Sequence, residues 1–130
     1  AVKVEDPRLT VLPVLKHLIG GLPGIGNDIK KPGVEEGAYP KVPLKALASQ
    51  LGGWAEVIAD LAKVTQPLLL LRSREDHVVP ASSSALILAG VKSADVTEVI
   101  LENSYHVATI DNDAELIFAR SDEFIRSHGG

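Results

Sequence analysis

The residues best suited to chemistry stand in two polar stretches, each behind an apolar run. Ser73-Arg74-Glu75-Asp76-His77 follows the leucines at 68–71, and Glu102-Asn103-Ser104-Tyr105-His106 follows Val96-Thr97-Glu98-Val99-Ile100-Leu101. An aspartate and a histidine that meet have a definite use. A neutral imidazole can take the proton of a hydroxyl when a carboxylate on its other nitrogen fixes the tautomer and stabilises the imidazolium as it forms. Asp76 is the candidate acid, and His106, thirty residues later, is the candidate base. Each also has a plainer reading: Asp76 as the cap of a helix opening near Pro80, His106 as a loop imidazole satisfied by backbone.

The other polar residues give weaker patterns. His77 adjoins Asp76 but is expected to be structural, because adjacent residues at a strand end point apart. His17 falls in an early helix, facing solvent, and His128 at a fraying terminus. A metal needs three or four converging ligands; the four scattered histidines contain no His-x-x-x-His pair, so no metal is expected, and a carboxylate and an imidazole acting on a hydroxyl need no cofactor. Asp111-Asn112-Asp113 lacks the glycine of a calcium loop and reads as a helix cap. Ser82-Ser83-Ser84 read as capping a helix after Pro80. The Gly20–Gly26 stretch is no phosphate loop, since Asn27-Asp28 stands where Lys followed by Ser or Thr is required.

The two loops can meet only if neighbouring parallel strands deliver them to one edge, where ligands of open parallel sheets bind. Four consecutive leucines after Pro67 predict a strand buried on both faces, and residues 96–101 predict a second strand. A helix from Pro80, with Gly90 at its C′ position, joins them into a right-handed βαβ unit. Upstream, residues 1–7 read as the tail of a strand and 8–19 as an amphipathic helix begun or interrupted at Pro13. Residues 20–43 hold so many glycines and prolines that no regular element is expected; Leu22, Ile25, Ile29, Val34 and Tyr39 would anchor them as an ordered wrap or lid. Residues 44–64 carry apolar residues at helical period, with Gly52-Gly53 suggesting a kink or a close approach. A last helix, starting near residues 111–113, has the inner stripe Ala114, Ile117, Phe118, Ser121, Phe124 and Ile125.

Composition narrows the function classes. The chain has 130 residues, 45% apolar, with a net charge of −4, which fits one ordinary domain rather than a disordered segment. Clustered Lys and Arg for nucleic acid are missing; the one basic pair, Lys30-Lys31, is soon followed by Glu35-Glu36. No apolar run reaches the roughly 18 residues of a membrane span. With no cysteine, disulfide scaffolds and Cys-ligated metal centres are excluded. A cytoplasmic location is expected, although lack of cysteine suits secretion too and a signal peptide would lie upstream. The absence of internal methionine suggests one piece of a longer reading frame.

Two motifs resemble a known family. Pro67-Leu-Leu-Leu-Leu-Arg-Ser-Arg-Glu-Asp76-His-Val-Val-Pro80 looks like the acid loop of α/β-hydrolase esterases, and Leu101-Glu-Asn-Ser-Tyr-His106-Val-Ala-Thr-Ile-Asp111-Asn-Asp113 looks like their histidine loop. The chain order, acid then histidine, agrees with that family. The similarity is greatest to bacterial carboxylesterases and monoacylglycerol lipases. It implies the C-terminal portion of a doubly wound, mostly parallel sheet, with residues 8–43 as cap or lid and 44–130 as helix-strand-helix-strand-helix. It implies ester hydrolysis on a small acyl-ester substrate, with Asp76 and His106 catalytic.

One departure is large. None of the nine serines lies in a Gly-x-Ser-x-Gly turn, and the Gly-rich loop for the oxyanion hole is absent. The resemblance therefore implies that the nucleophile lies in a missing N-terminal half and that the chain alone is inactive. That half, or a second copy, would complete the sheet. The alternative is a complete small α/β protein without catalysis that dimerises or binds a partner.

Overall fold

The computed structural model describes residues 11–129. The strand tail expected at 1–7, and residues 8–10 of the first expected helix, lie outside the described residues. A short helix α1 (Leu12–Leu18) leads to strand β1 (Gly21–Pro23), which pairs antiparallel with β2 (Lys41–Pro43). Helix α2 (Leu44–Asp60) runs into a 3-10 turn at Leu61–Lys63. Strand β3 (Leu68–Ser73), helix α3 (Ala81–Gly90) and strand β4 (Val96–Leu101) follow, then a 3-10 turn at Ala108–Ile110 and helix α4 (Ala114–His128).

The strand-helix-strand unit is as expected. β3 and β4 are parallel and adjacent, in a register from Leu68↔Val96 to Ser73↔Leu101. Both strands therefore end at the same edge, and the Arg74 N–H donates to the Leu101 carbonyl at 2.9 Å just beyond it.

Residues 20–43 correct the sequence reading, because a regular element does survive among the breakers. The glycines permit it. A Cβ at Gly24 would collide with the Tyr39 carbonyl oxygen, so the close approach of the two segments needs a bare α-carbon. The Gly24 N–H then donates to the Pro40 carbonyl at 2.9 Å. Of the expected anchors, Leu22, Ile29 and Val34 are half-buried, but Ile25 and Tyr39 are exposed.

Gly90 does not sit at C′. It is the last residue of α3, with Val91 following as the cap. A Cβ there would lie 2.9 Å from the Leu61 Cβ, so the glycine lets α3 approach the turn after α2. Gly52 and Gly53 mark no close approach, since nothing stands within 4 Å of a Cβ at either. Ser82–Ser84 are not the cap of α3: Pro80 holds the N-cap position, where no side chain accepts a bond.

Among the described residues the buried apolar side chains are Leu12 of α1, Leu44 of α2, Leu61 of the turn after it, Leu101 of β4 and Ile117 of α4. The leucines of β3 are only half-buried, contrary to the expectation of burial on both faces. Within the described residues, β4 is the one strand paired with β3, so the sheet is too narrow to enclose it. In α4 only Ile117 of the expected stripe is buried, and Phe118 and Ile125 are exposed. The helix does not fray at His128, whose ring bonds Asp95 at 3.0 Å and packs on Phe124.

Candidate functional site

Residues 74–77 turn sharply after β3 and place Asp76 over the strand ends. One Asp76 oxygen, Oδ1, accepts the N–H groups of Val78 and Val79 at 2.9 and 2.7 Å. It thus closes its own loop instead of capping α3. The other oxygen, Oδ2, lies 3.1 Å from Nδ1 of His106. The side chain of Asp76 is 16% exposed and that of His106 is 37% exposed. The carboxylate is sheltered and the imidazole remains reachable. The two candidates named from sequence are thus brought together, and each side chain orients the other.

Among the described residues, Nε2 of His106 has no hydrogen-bond partner. With Nδ1–H given to Asp76, the lone pair of Nε2 is free to take a proton. Two hollows flank the pair. One, of about 340 Å³, is walled by Ile25, Tyr39, Val42, Val78 and His106. The other, of about 400 Å³, lies toward the sheet and touches Leu71, Asp76, Val79, Leu101 and His106. The walls of both are mostly apolar.

His77 does not join Asp76. Its Nδ1 bonds Oδ1 of Asp28 at 2.7 Å, and its ring meets Tyr105 edge-on at 4.7 Å. The bond from Asp28 is the main reason the His77 imidazole is held above its ordinary value. Burial pushes the Asp28 carboxyl up, but donation from the His77 ring and from the backbone of His106 and His77 outweighs it, so Asp28 lies below its ordinary value. His17 is exposed on α1, as expected.

Asp111 is the residue that sequence reasoning placed least well. It is 2% exposed, and its side chain does not cap α4, whose N-cap position is held by Asp113. Its Oδ2 accepts N–H groups from Lys30 at 2.7 Å and Tyr105 at 2.9 Å; Oδ1 accepts those of Lys31 at 2.8 Å and Asn112 at 2.7 Å. Burial raises its pKa, and these four donors more than reverse that. Asp113 stands at the N-cap position of α4, but its Oδ2 takes the N–H of Asn103 at 2.8 Å. Asp28 and Ser73 were also missed. The available signal was an acid inside a Gly/Pro-rich segment, and a serine closing a leucine strand.

Among the described residues no group of His, Cys, Asp or Glu could hold a metal ion, and no helix is long and apolar enough to cross a membrane.

Comparison with known proteins bears on the family and the fold. The chain is 42% identical over 109 residues to the thermostable monoacylglycerol lipase of Bacillus sp. (strain H-257), covering 84% of this chain and 44% of that protein. A solved structure from work on LipS and LipT, two metagenome-derived lipolytic enzymes, superposes with a TM-score of 0.92 at 46% identity, covering 98% of this chain and 52% of that one. A Paleococcus ferrophilus monoacylglycerol lipase shares the fold at a TM-score of 0.72 and 20% identity, over 97% of this chain and 54% of its own. The chain thus spans about half the length of these relatives. The profile of the serine aminopeptidase, S33 family matches residues 37–113, which include both loops and most of this chain. Parallel strands, loop order and profile lead to one placement: this chain belongs to the serine aminopeptidase S33 family of α/β-hydrolases.

Proposed function

We propose that this chain supplies the acid and the base of a Ser-His-Asp triad in a carboxylic-ester hydrolase of the carboxylesterase or monoacylglycerol lipase kind. The nucleophilic serine and the oxyanion donors would be contributed by polypeptide outside this sequence. The observation that carries the reading is the 3.1 Å Asp76–His106 contact above adjacent parallel strands.

In this reading His106 Nε2 takes the proton of the serine hydroxyl as that oxygen attacks the ester carbonyl. Asp76 holds Nδ1–H and stabilises the imidazolium. His106 then returns the proton to the leaving alcohol, and in the second half-reaction removes one from water to release the acid. Residues 8–43 serve as cap, and the apolar hollow they share with His106 receives the acyl or alcohol part.

The solvent-exposed surface supports a chain that packs against further protein. A folded monomer of this mass exposes roughly 6,600 Å². This chain exposes 8515 Å², with Val14, Leu18, Ile25, Tyr39, Phe118 and Ile125 among the uncovered side chains. A second copy could cover that surface as well, and sedimentation of the isolated chain separates the two occupants.

The test is turnover of p-nitrophenyl acyl esters. The isolated chain is expected to show none, and the whole reading frame to be active. His106→Ala in the whole protein is expected to lower kcat by roughly four orders of magnitude or more. A loss below tenfold would remove His106 from the mechanism.

A further inference from the structure

His106 sits in an irregular loop, where nothing in a strand or helix ladder fixes its backbone. The structure nevertheless ties down that backbone from both sides. The Tyr105 N–H donates to Asp111 at 2.9 Å, and the Tyr105 carbonyl accepts the Ser73 hydroxyl at 2.6 Å. The His106 N–H donates to Asp28 Oδ2 at 3.2 Å, and the Val107 N–H to the Asp28 carbonyl at 3.3 Å.

The tethers are reciprocal. Asp28 lies 78 positions before His106, in the segment between β1 and β2, and reaches into the histidine loop. Asp111, at the far end of that loop, reaches back to Lys30 and Lys31 in the same segment. Both carboxylates are largely removed from water, with relative exposures of 9% and 2%. A buried carboxylate cannot shed its donors without a large penalty, so each is a stiff link. His77 fixes the remaining freedom of Asp28 by holding Oδ1.

We infer that Asp28, Asp111 and Ser73 are positioning residues that hold the backbone of residues 105–107 so that the His106 ring meets Asp76. The inference rests on the triad reading above. None of the three hydrogen-bonds to the His106 ring, which bonds Asp76. They act through its main chain, where a displacement near 1 Å can lower a rate about a hundredfold. The segment proposed as cap is in this view also a support for the base.

Kinetics and proton NMR on the whole protein test this. Asp28→Ala is expected to lower kcat by about 10- to 100-fold, with KM little changed. It should also shift or broaden the downfield His106 Nδ1–H resonance. Asp28→Asn retains an acceptor for the His106 N–H and should restore most of kcat and the resonance. Ser73→Ala, a small change that should fold even where Asp28→Ala does not, is expected to lower kcat about tenfold, again with KM little changed. Wild-type kcat in folded Asp28→Ala or Ser73→Ala would overturn the inference, as would a fall in kcat with the resonance unmoved. Activity surviving in His106→Ala would instead overturn the triad reading. An inactive His106→Ala beside a fully active Ser73→Ala would overturn only the positioning role.

Discussion

Asp76 and His77 are neighbours in sequence yet serve separate pairs, because the turn after β3 sends their side chains to different partners. Within the proposed triad, the consequence for Asp76 is kinetic. Asp76→Asn keeps the shape but presents an amide to Nδ1 and favours the wrong tautomer, so kcat of the whole protein should fall by about four orders of magnitude. The consequence for His77 is in stability. Its folded value is raised above 6.5, so what its bond contributes is fully present below pH 6.5 and is lost as the pH rises through the folded value. Asp28 is lowered from 3.8, so its contribution is present above pH 3.8 and is lost as the pH falls through the folded value. Both are present between those limits. The melting temperature should therefore fall as the pH rises past 6.5, and the fall should be smaller in His77→Gln. His128, raised mainly by its bond to Asp95, titrates in the same direction, which makes the comparison with His77→Gln the decisive measurement.

The elements show why glycine must be read by its surroundings. Gly53 lies in α2 with open space beside it, so Gly53→Ala should stabilise the protein by up to about 1 kcal/mol through helix propensity. Gly90 lies in α3 against Leu61, so Gly90→Ala should destabilise it by roughly 1 kcal/mol or more despite the same propensity gain. Urea midpoints of the two variants should move in opposite directions. Between β1 and β2 the breakers that argued against regular structure are what allows the chains to pair. Apolar runs located β3 and β4, the Pro80 and Gly90 boundaries α3, and a helical stripe α4, each within a few residues, because those signals are local in the chain.

For the molecule as a whole, the small core and the large exposed apolar surface follow from a parallel sheet that is two strands wide among the described residues. Such a sheet leaves edges and faces open, which proteins normally pair or cover. Co-expression with an α/β-hydrolase half bearing a Gly-x-Ser-x-Gly turn is expected to yield a soluble complex with esterase activity. The same half should give none when paired with a His106→Ala chain.

Residue types and their order alone determined the α/β class, the two strand-end loops, and Asp76 and His106 as the acid and base worth pairing, because those signals are local in the chain. Asp28 and Asp111 were beyond its reach. The donors from His106, Lys30 and Lys31 lie 78 to 81 positions away, and a lone carboxylate in a loop shows no partner in the sequence until the fold brings those N–H groups to it. Only tertiary structure decides which distant backbone groups a buried charge must satisfy, since removing the charge from water is what makes those partners obligatory.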